Sequence, residues 1–239
     1  MPDFEPPTPR LEPTPRWIRV RAGDTWIADS RRAQLLVWFG PGRLPTYVLP
    51  PEDVRTDLLT PEGDLHLDGR VLERVATRFG DDDPAPTGHW TFTWDGRLSW
   101  FEEAMEVAVH ARDPTKRVDA MPSERHVEIR VGGELVAESR SAHALFETGL
   151  PTRWYLPARD VRHDLLEHSD TSTSCPYKGT ARYWHVRVGG ELHDDLAWSY
   201  PQPIPECPRI AGLIAFFNER VEVTIDGERQ TAPRTPWSR

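Results

Sequence analysis

The sequence predicts a mainly β protein, built as two tandem antiparallel β domains with a few short helices. Two observations carry this. The first is an internal repeat: Ile18 to Ala33, "IRVRAGDTWIADSRRA", matches Val127 to Ala142, "VEIRVGGELVAESRSA", without a gap. The second is apolar alternation around glycine pairs. "VEIRVGGELVAES" alternates about Gly132-Gly133 and "YWHVRVGGELHDDLAW" about Gly189-Gly190, the pattern of hairpins whose two-residue turns need positive φ.

Taken in order, residues 1–16 carry six prolines and read as an extended Pro-rich tail. Residues 17–110 are the first, degenerate repeat domain, 111–125 a linker, 126–228 the second repeat domain, and 229–239 a loose tail. Both copies continue through a Gly-rich turn into "YVLPPEDVRTDLL" (Tyr47 to Leu59) or "WYLPARDVRHDLL" (Trp154 to Leu166), where Val and Leu at helical spacing predict short helices. Arg70 to Arg78 reads as another short helix with charged faces. "IAGLIAFF" (Ile210 to Phe217) fits a buried strand or one buried helical turn. "FEEAMEV" (Phe101 to Val107) echoes "FNERVEV" (Phe217 to Val223). The copies differ between Leu59 and Phe101, where the first lacks the "CPYKG" and "WSYP" of the second.

Length and composition narrow the class. A chain of 239 residues can bury a core in each of two domains without disulfides, and it has only Cys175 and Cys207. No apolar run approaches the roughly 20 residues that span a bilayer, and "MPDFEPPTPRLEPTPR" lacks the basic and apolar regions of a signal peptide. The expectation is a cytoplasmic protein that uses no membrane. A net charge of −9 argues against nucleic acid as partner. Among 29 basic residues only Lys116 and Lys178 are lysines, a bias that fits a GC-rich bacterial genome and sets apart the lysine of "CPYKG".

"RVGGELVAESRSAHALFETGLPTRWYLPARDVRHDLLEHSDTSTSCPYKGTARYW", followed by "AWSYPQPIPECPRIAGLIAFFNERVEVTIDGE", resembles the domain of unknown function 427 family in tandem form. The resemblance covers about Val127 to Glu228 and, in part, the first copy. That family is similar to the β-tent fold group, so the resemblance implies small antiparallel domains of two sheets meeting at an angle. Several β-tent relatives bind zinc through four cysteines, a set two cysteines cannot supply. The family has no established general activity.

Candidate chemistry gathers in the second copy. Cys175 is a candidate nucleophile, with Lys178 to stabilise its thiolate or an oxyanion and Tyr177 to transfer a proton; the alternative is a small buried residue beside a solvated lysine. Trp154, Tyr155, Trp184, Trp198 and Tyr200 are candidate walls of an aromatic pocket, with Glu147 and Arg153 as its polar groups. Period-two alternation sends neighbouring rings such as Tyr183 and Trp184 to opposite faces, so about half should be core. His163, His168, His185 and His193 lack the short spacing of a structural zinc site, so no metal and no cofactor are assigned. "HARDPTKRVD" (His110 to Asp119) is either a lid or a solvated linker pinned by ion pairs.

The expectation is a small-molecule-acting bacterial protein with its site in the C-terminal repeat, with a thiol-dependent reaction at a carbonyl, imine or amide-like centre through Cys175. A non-catalytic binding module and an interaction scaffold are the alternatives. The sequence leaves the oligomeric state open.

Overall fold

The computed structural model describes residues 8–40 and 42–238. Strands take 49 % of the residues and helical turns 7 %, none of them reaching seven residues, so the chain is mainly β. Two compact units meet in sequence at Asp113 and Pro114.

The C-terminal unit contains a seven-stranded antiparallel sheet. Its spatial order is Val118–Pro122, His143–Glu147, Arg153–Leu156, Ile214–Phe216, Glu191–Ser199, Gly179–Val188 and Leu166–Cys175. A four-stranded sheet, Glu134–Ser139, Val127–Val131, Glu222–Ile225 and Glu228–Arg229, supplies the second layer. Val127, Ile129 and Val131 alternate inward from the smaller sheet and meet Ala144, Trp154, Leu156, Val186 and Phe216 of the larger one in an inner core. Burying such side chains contributes about 1.5–3 kcal/mol each, which fixes the register. The outer face of the large sheet carries a second cluster, with Leu145, Tyr155, Ala181, Trp198, Tyr200, Cys207, Ile210 and Ala215 buried.

The N-terminal unit repeats the first half of this plan. Arg10–Pro13, Gln34–Val37 and Thr46–Val48 form one sheet, and Met105–Val107, Ser99–Glu102, Ile18–Ala22 and Thr25–Ser30 the other. The hairpins Leu65–Leu67/Arg70–Leu72 and Ala76–Arg78/Trp90–Phe92 stand where the second copy has three long strands.

The glycine pairs do what their spacing requires. Val131 pairs with Glu134 across Gly132 (φ 55°) and Gly133 (φ 82°), and Val188 with Glu191 across Gly189 (φ 58°) and Gly190 (φ 88°). The repeated "PEDVRTDLL" and "ARDVRHDLL" stretches are pairs of 3-10 turns rather than α-helix. Ser30 Oγ donates to Asp53 at 2.7 Å and Ser139 Oγ to Asp160 at 2.6 Å, so the same serine–aspartate bond ties each first turn to its sheet. "IAGLIAFF" divides into the end of a 3-10 turn, Pro208–Ile210, and the strand Ile214–Phe216.

Five expectations are corrected. Arg70 to Arg78 is two short strands, because Asp68 (φ 51°) and Gly69 (φ 73°) form a tight hairpin turn and Arg74 (φ 50°) breaks the run again. Within the supposed tail 1–16, Arg10–Pro13 pairs with Gln34–Val37; within the supposed linker 111–125, Val118–Pro122 pairs with His143–Glu147. Both strands are sheet edges ending on proline, where a missing N–H breaks no ladder bond. The tail 229–239 is anchored, since Thr235 Oγ1 donates to Glu219 at 2.5 Å and the Trp237 ring lies 6.5 Å from that of Phe217. Finally, the counterpart of Phe101 is Thr224 and not Phe217: Phe101 pairs with Arg19 and Thr224 with Glu128, and Arg19 and Glu128 are equivalent repeat positions.

Candidate functional site

The outer face of the seven-stranded sheet gathers most of the chemistry singled out in the sequence. The strand Leu166–Cys175 turns at Pro176 and Tyr177 into Gly179–Val188, with Lys178 N–H donating to the Cys175 carbonyl at 3.3 Å. Gly179 has φ 107°, and a Cβ there would stand 3.2 Å from the Gln202 carbonyl oxygen and 3.3 Å from Ile204 N. Only glycine lets the 202–204 segment close on this turn, where Ile204 N–H donates to the Lys178 carbonyl at 3.1 Å. The closure buries Lys178, only 9 % exposed.

Inside, the Lys178 ammonium donates to the Glu147 carboxylate, and Lys116 Nζ lies 3.1 Å from the other carboxylate oxygen. Burial works to raise the Glu147 pKa, but Lys178 and then Lys116 outweigh it and hold the group below the usual carboxylate range. Lys116 also stands 5.6 Å from the Tyr177 ring centroid. The segment 110–119 is therefore pinned by ion pairs, through Lys116 to Glu147 and through Asp113 to Arg10. Asp113 and Lys116 are largely withdrawn from solvent while Pro114, Thr115 and Arg117 are exposed, as expected of a linker pinned by ion pairs.

A second buried ion pair lies on the same face. Arg153 grips Glu219 with both forks at 2.6 Å, and the Glu219 side chain has no exposed surface. Burial acts to raise the Glu219 pKa, and the hydrogen bonds from Arg153 and Thr235 bring it below the ordinary value. The Arg153 guanidinium stands 5.8 Å from the Trp198 centroid and 5.9 Å from Phe217. Trp198 Nε1 donates to the Tyr155 hydroxyl at 3.1 Å, with the two rings edge to face at 6.2 Å. Burial keeps the Tyr155 and Tyr200 phenols protonated far above their ordinary range.

The two thiols differ. Cys207 is 4 % exposed and burial pushes its pKa up, which suppresses thiolate. Cys175 is partly exposed in the same cluster. The hydrogen-bond partner of the Lys178 ammonium is Glu147, not the Cys175 sulfur, so the expected lysine–thiolate pairing is not formed. Beside Cys207, a groove of about 320 Å³ opens between Val118–Met121 and Glu206–Arg209.

Of the predicted walls, Tyr155, Trp198 and Tyr200 share this face with Cys175. Trp154 and Trp184 turn to the inner core, as alternation requires. The histidines are dispersed: His163 Nε2 lies 2.8 Å from the Ala158 carbonyl, His168 lies 6.2 Å from Trp184, and His185 Nδ1 accepts from Asp195 N–H. Among the described residues, the potential ligand atoms that converge are those of His126, Glu128 and Glu138, away from the cysteines.

Sequence reasoning missed Glu219, whose partner Arg153 lies 66 positions away. It also missed a polar row beside Cys175. Thr173 and the Tyr183 hydroxyl are 2.8 Å apart, and Ser169 and Thr171 donate to Asp195 at 2.5 and 2.7 Å. The alternating hydroxyls of "SDTST" were the available signal, readable once Leu166–Cys175 is known to be a strand.

The first repeat serves as an internal comparison. Register places Trp38 where the second has Glu147, Thr46 where it has Arg153, and Val48 where it has Tyr155. There the same face is an apolar cluster of Leu36, Val48, Phe79 and Ala85, with Leu11 and Trp38 packed against it.

Fold and site thus define a tandem β protein that carries buried ion pairs on one face of one repeat. The chain belongs to the domain of unknown function 427 family, whose profile matches residues 10–68 and 119–227, well over half of its length. Arg10 and Asp119, where the matched segments begin, are equivalent repeat positions. No curated protein matches the chain.

Proposed function

We propose that this is a small-molecule-binding protein whose ligand site is the outer sheet face of its C-terminal repeat. One observation carries the reading: this face buries Glu147 with Lys178 and Arg153 with Glu219, where the first repeat has an apolar cluster beside an uncharged Thr46–Thr91 hydrogen bond. Replacing a buried ion pair by apolar residues of similar volume is often neutral or stabilising. The fold alone therefore gives no reason to keep two such pairs in one copy. A ligand that needs oriented charge beside aromatic walls does. Tyr155, Trp198 and Tyr200 supply the walls, and Tyr177 and Cys175 the partly exposed rim.

The reading includes a β-tent-like fold for each repeat and a cytoplasmic setting in a bacterium, supported by two free thiols and the arginine-for-lysine bias. Nucleic acid and membrane surfaces are not proposed as partners, in keeping with the net charge of −9. The test is a ligand-observed NMR screen of a fragment library, with hits located by amide shifts. Hits should displace resonances of Lys178, Tyr183 and Trp198. A screen whose hits all fall on the N-terminal repeat refutes the reading.

A second reading, thiol-dependent chemistry at a carbonyl, imine or amide-like centre, rests on the partly exposed Cys175 at the rim of the same face. Lys178 is engaged by Glu147, so Cys175 lacks the activating neighbour that reading needs. Cys175→Ala separates the two, since binding survives it and thiol catalysis does not.

A further inference from the structure

The C-terminal turn ties itself into a fixed shape. Thr235 N–H donates to Ser238 Oγ at 3.0 Å, Trp237 N–H to Thr235 Oγ1 at 3.2 Å, and Ser238 Oγ to the Pro233 carbonyl at 3.2 Å. These bonds hold one hydroxyl and one indole ring at a set spacing. Both groups then meet the outer face described above. The Thr235 hydroxyl donates to Glu219 at 2.5 Å, and the Trp237 centroid stands 5.7 Å from the Arg153 guanidinium and 6.5 Å from the Phe217 ring.

Beneath the turn lies a guanidinium with Trp198 and Phe217 beside it, 4.5 Å apart, and a fully buried carboxylate at its end. This combination recognises a ring through cation–π and edge contacts, and a hydroxyl or N–H through Glu219. Trp237 remains 41 % exposed, so its ring covers the site without being locked into the core. The first repeat has Thr46 in place of Arg153.

We propose that the Thr235–Ser238 turn is a displaceable internal occupant of a binding site formed by Arg153, Trp198, Phe217 and Glu219, and that this site takes a small molecule carrying a flat ring and a hydroxyl or N–H donor. The inference rests on the ligand-binding reading above and names its ligand class. A tethered occupant competes with any free ligand. If the turn is seated about 90 to 99 % of the time, it weakens apparent affinity about 10- to 100-fold.

The test compares the full-length protein with full-length Trp237→Ala by isothermal titration. The probes are the capped tripeptide acetyl-Thr-Pro-Trp-amide, which carries the turn's own groups, and indole-3-ethanol. Trp237→Ala should bind the tripeptide at least about tenfold more tightly than the unaltered chain. Acetyl-Val-Pro-Trp-amide, which lacks the hydroxyl, should bind at least about tenfold more weakly than the threonine form, consistent with losing a hydrogen bond to a charged group. Indole-3-ethanol should displace the tripeptide. A Trp237→Ala protein that melts like the unaltered chain and binds the tripeptide no more tightly overturns the proposal, and failure of indole-3-ethanol to compete overturns the ligand class. A fragment bound elsewhere on the outer face with affinity untouched by Trp237→Ala would remove the internal occupant and leave the ligand-binding reading standing. Thr235→Val in the full chain is the second variant; it should raise tripeptide affinity in the same direction, and no change counts against the proposal.

Discussion

Lys178→Met tests whether the buried pair serves ligand or fold. The substitution keeps the unbranched apolar stem of the side chain but removes its terminal ammonium, leaving Glu147, 8 % exposed, with Lys116 as its remaining ammonium in the Lys178–Glu147–Lys116 group. Breaking a buried pair from one side costs about 3–5 kcal/mol, and Lys116 keeps the loss near the lower figure, about 3 kcal/mol. At about 2–4 °C per kcal/mol for a chain of this size, the melting temperature should fall by about 6–12 °C. The double variant Lys178→Met/Glu147→Leu removes both charges and should recover most of that loss, because the first repeat packs Trp38 and apolar neighbours at the equivalent place. Urea unfolding followed by tryptophan fluorescence measures both variants and their coupling. A single variant within about 0.5 kcal/mol of the parent, or a double variant as unstable as the single, would refute the reasoning.

Three further outcomes follow from the same geometry. Glu147 and Glu219 titrate below their unfolded values, so the folded state holds fewer protons than the unfolded one and their stabilisation is present above the unfolded carboxylate pKa of about 4.3. It is lost as pH falls through the depressed folded values, and Glu147→Gln should flatten the acid limb of the stability–pH curve; an unchanged limb contradicts the assignment. Cys207, buried and with its thiol raised, should be alkylated at least about tenfold more slowly than Cys175 at pH 8, as read by peptide mass spectrometry on the native protein. Gly179→Ala meets both a positive φ and the backbone of the 202–204 segment and should destabilise by about 1–3 kcal/mol, whereas Gly190→Ala, with nothing near its Cβ, should lose less; equal losses would show that close approach is not what requires glycine at 179.

The inner architecture was legible because it rests on local rules. Alternation in Val127–Val131 and the paired glycines at 132 and 189 specify strand, turn and face within a few residues. Strand Arg10–Pro13 was hidden because proline density is read as tail, although an edge position tolerates proline. The hairpin at Asp68-Gly69 was hidden behind charged residues that read as a helix surface, yet Asp-Gly between "LHL" and "RVL" is a hairpin signal in itself. The site was legible by residue type and illegible by pairing. Cys175, Lys178 and Tyr177 are neighbours in sequence, but the sheet gives Lys178 to Glu147 and brings Tyr177 to Lys116. Partners 31 and 66 positions away cannot be read from spacing.

The duplication turns the chain into its own control experiment. Both repeats keep the serine–aspartate bond that ties the 3-10 turn to the sheet and the register of the strands that follow, so those features belong to the fold. The outer-face ion pairs, the Tyr155–Trp198 bond and the turn closed on Gly179 occur in the second repeat, whereas the first has ion pairs at other places, Arg10–Asp113 and Arg16–Glu102, so the plan shared by the two repeats does not require the outer-face pairs. Drift after duplication explains the loss of a charged residue from one copy readily. It explains less well a second copy that retains two buried carboxylates, each held by a cation from a distant strand or turn, because losing either partner of such a pair is strongly destabilising while losing both is tolerated. Retaining both complete pairs is what the proposed binding face would require, and the coupled Lys178 and Glu147 variants measure whether stability alone accounts for one of them.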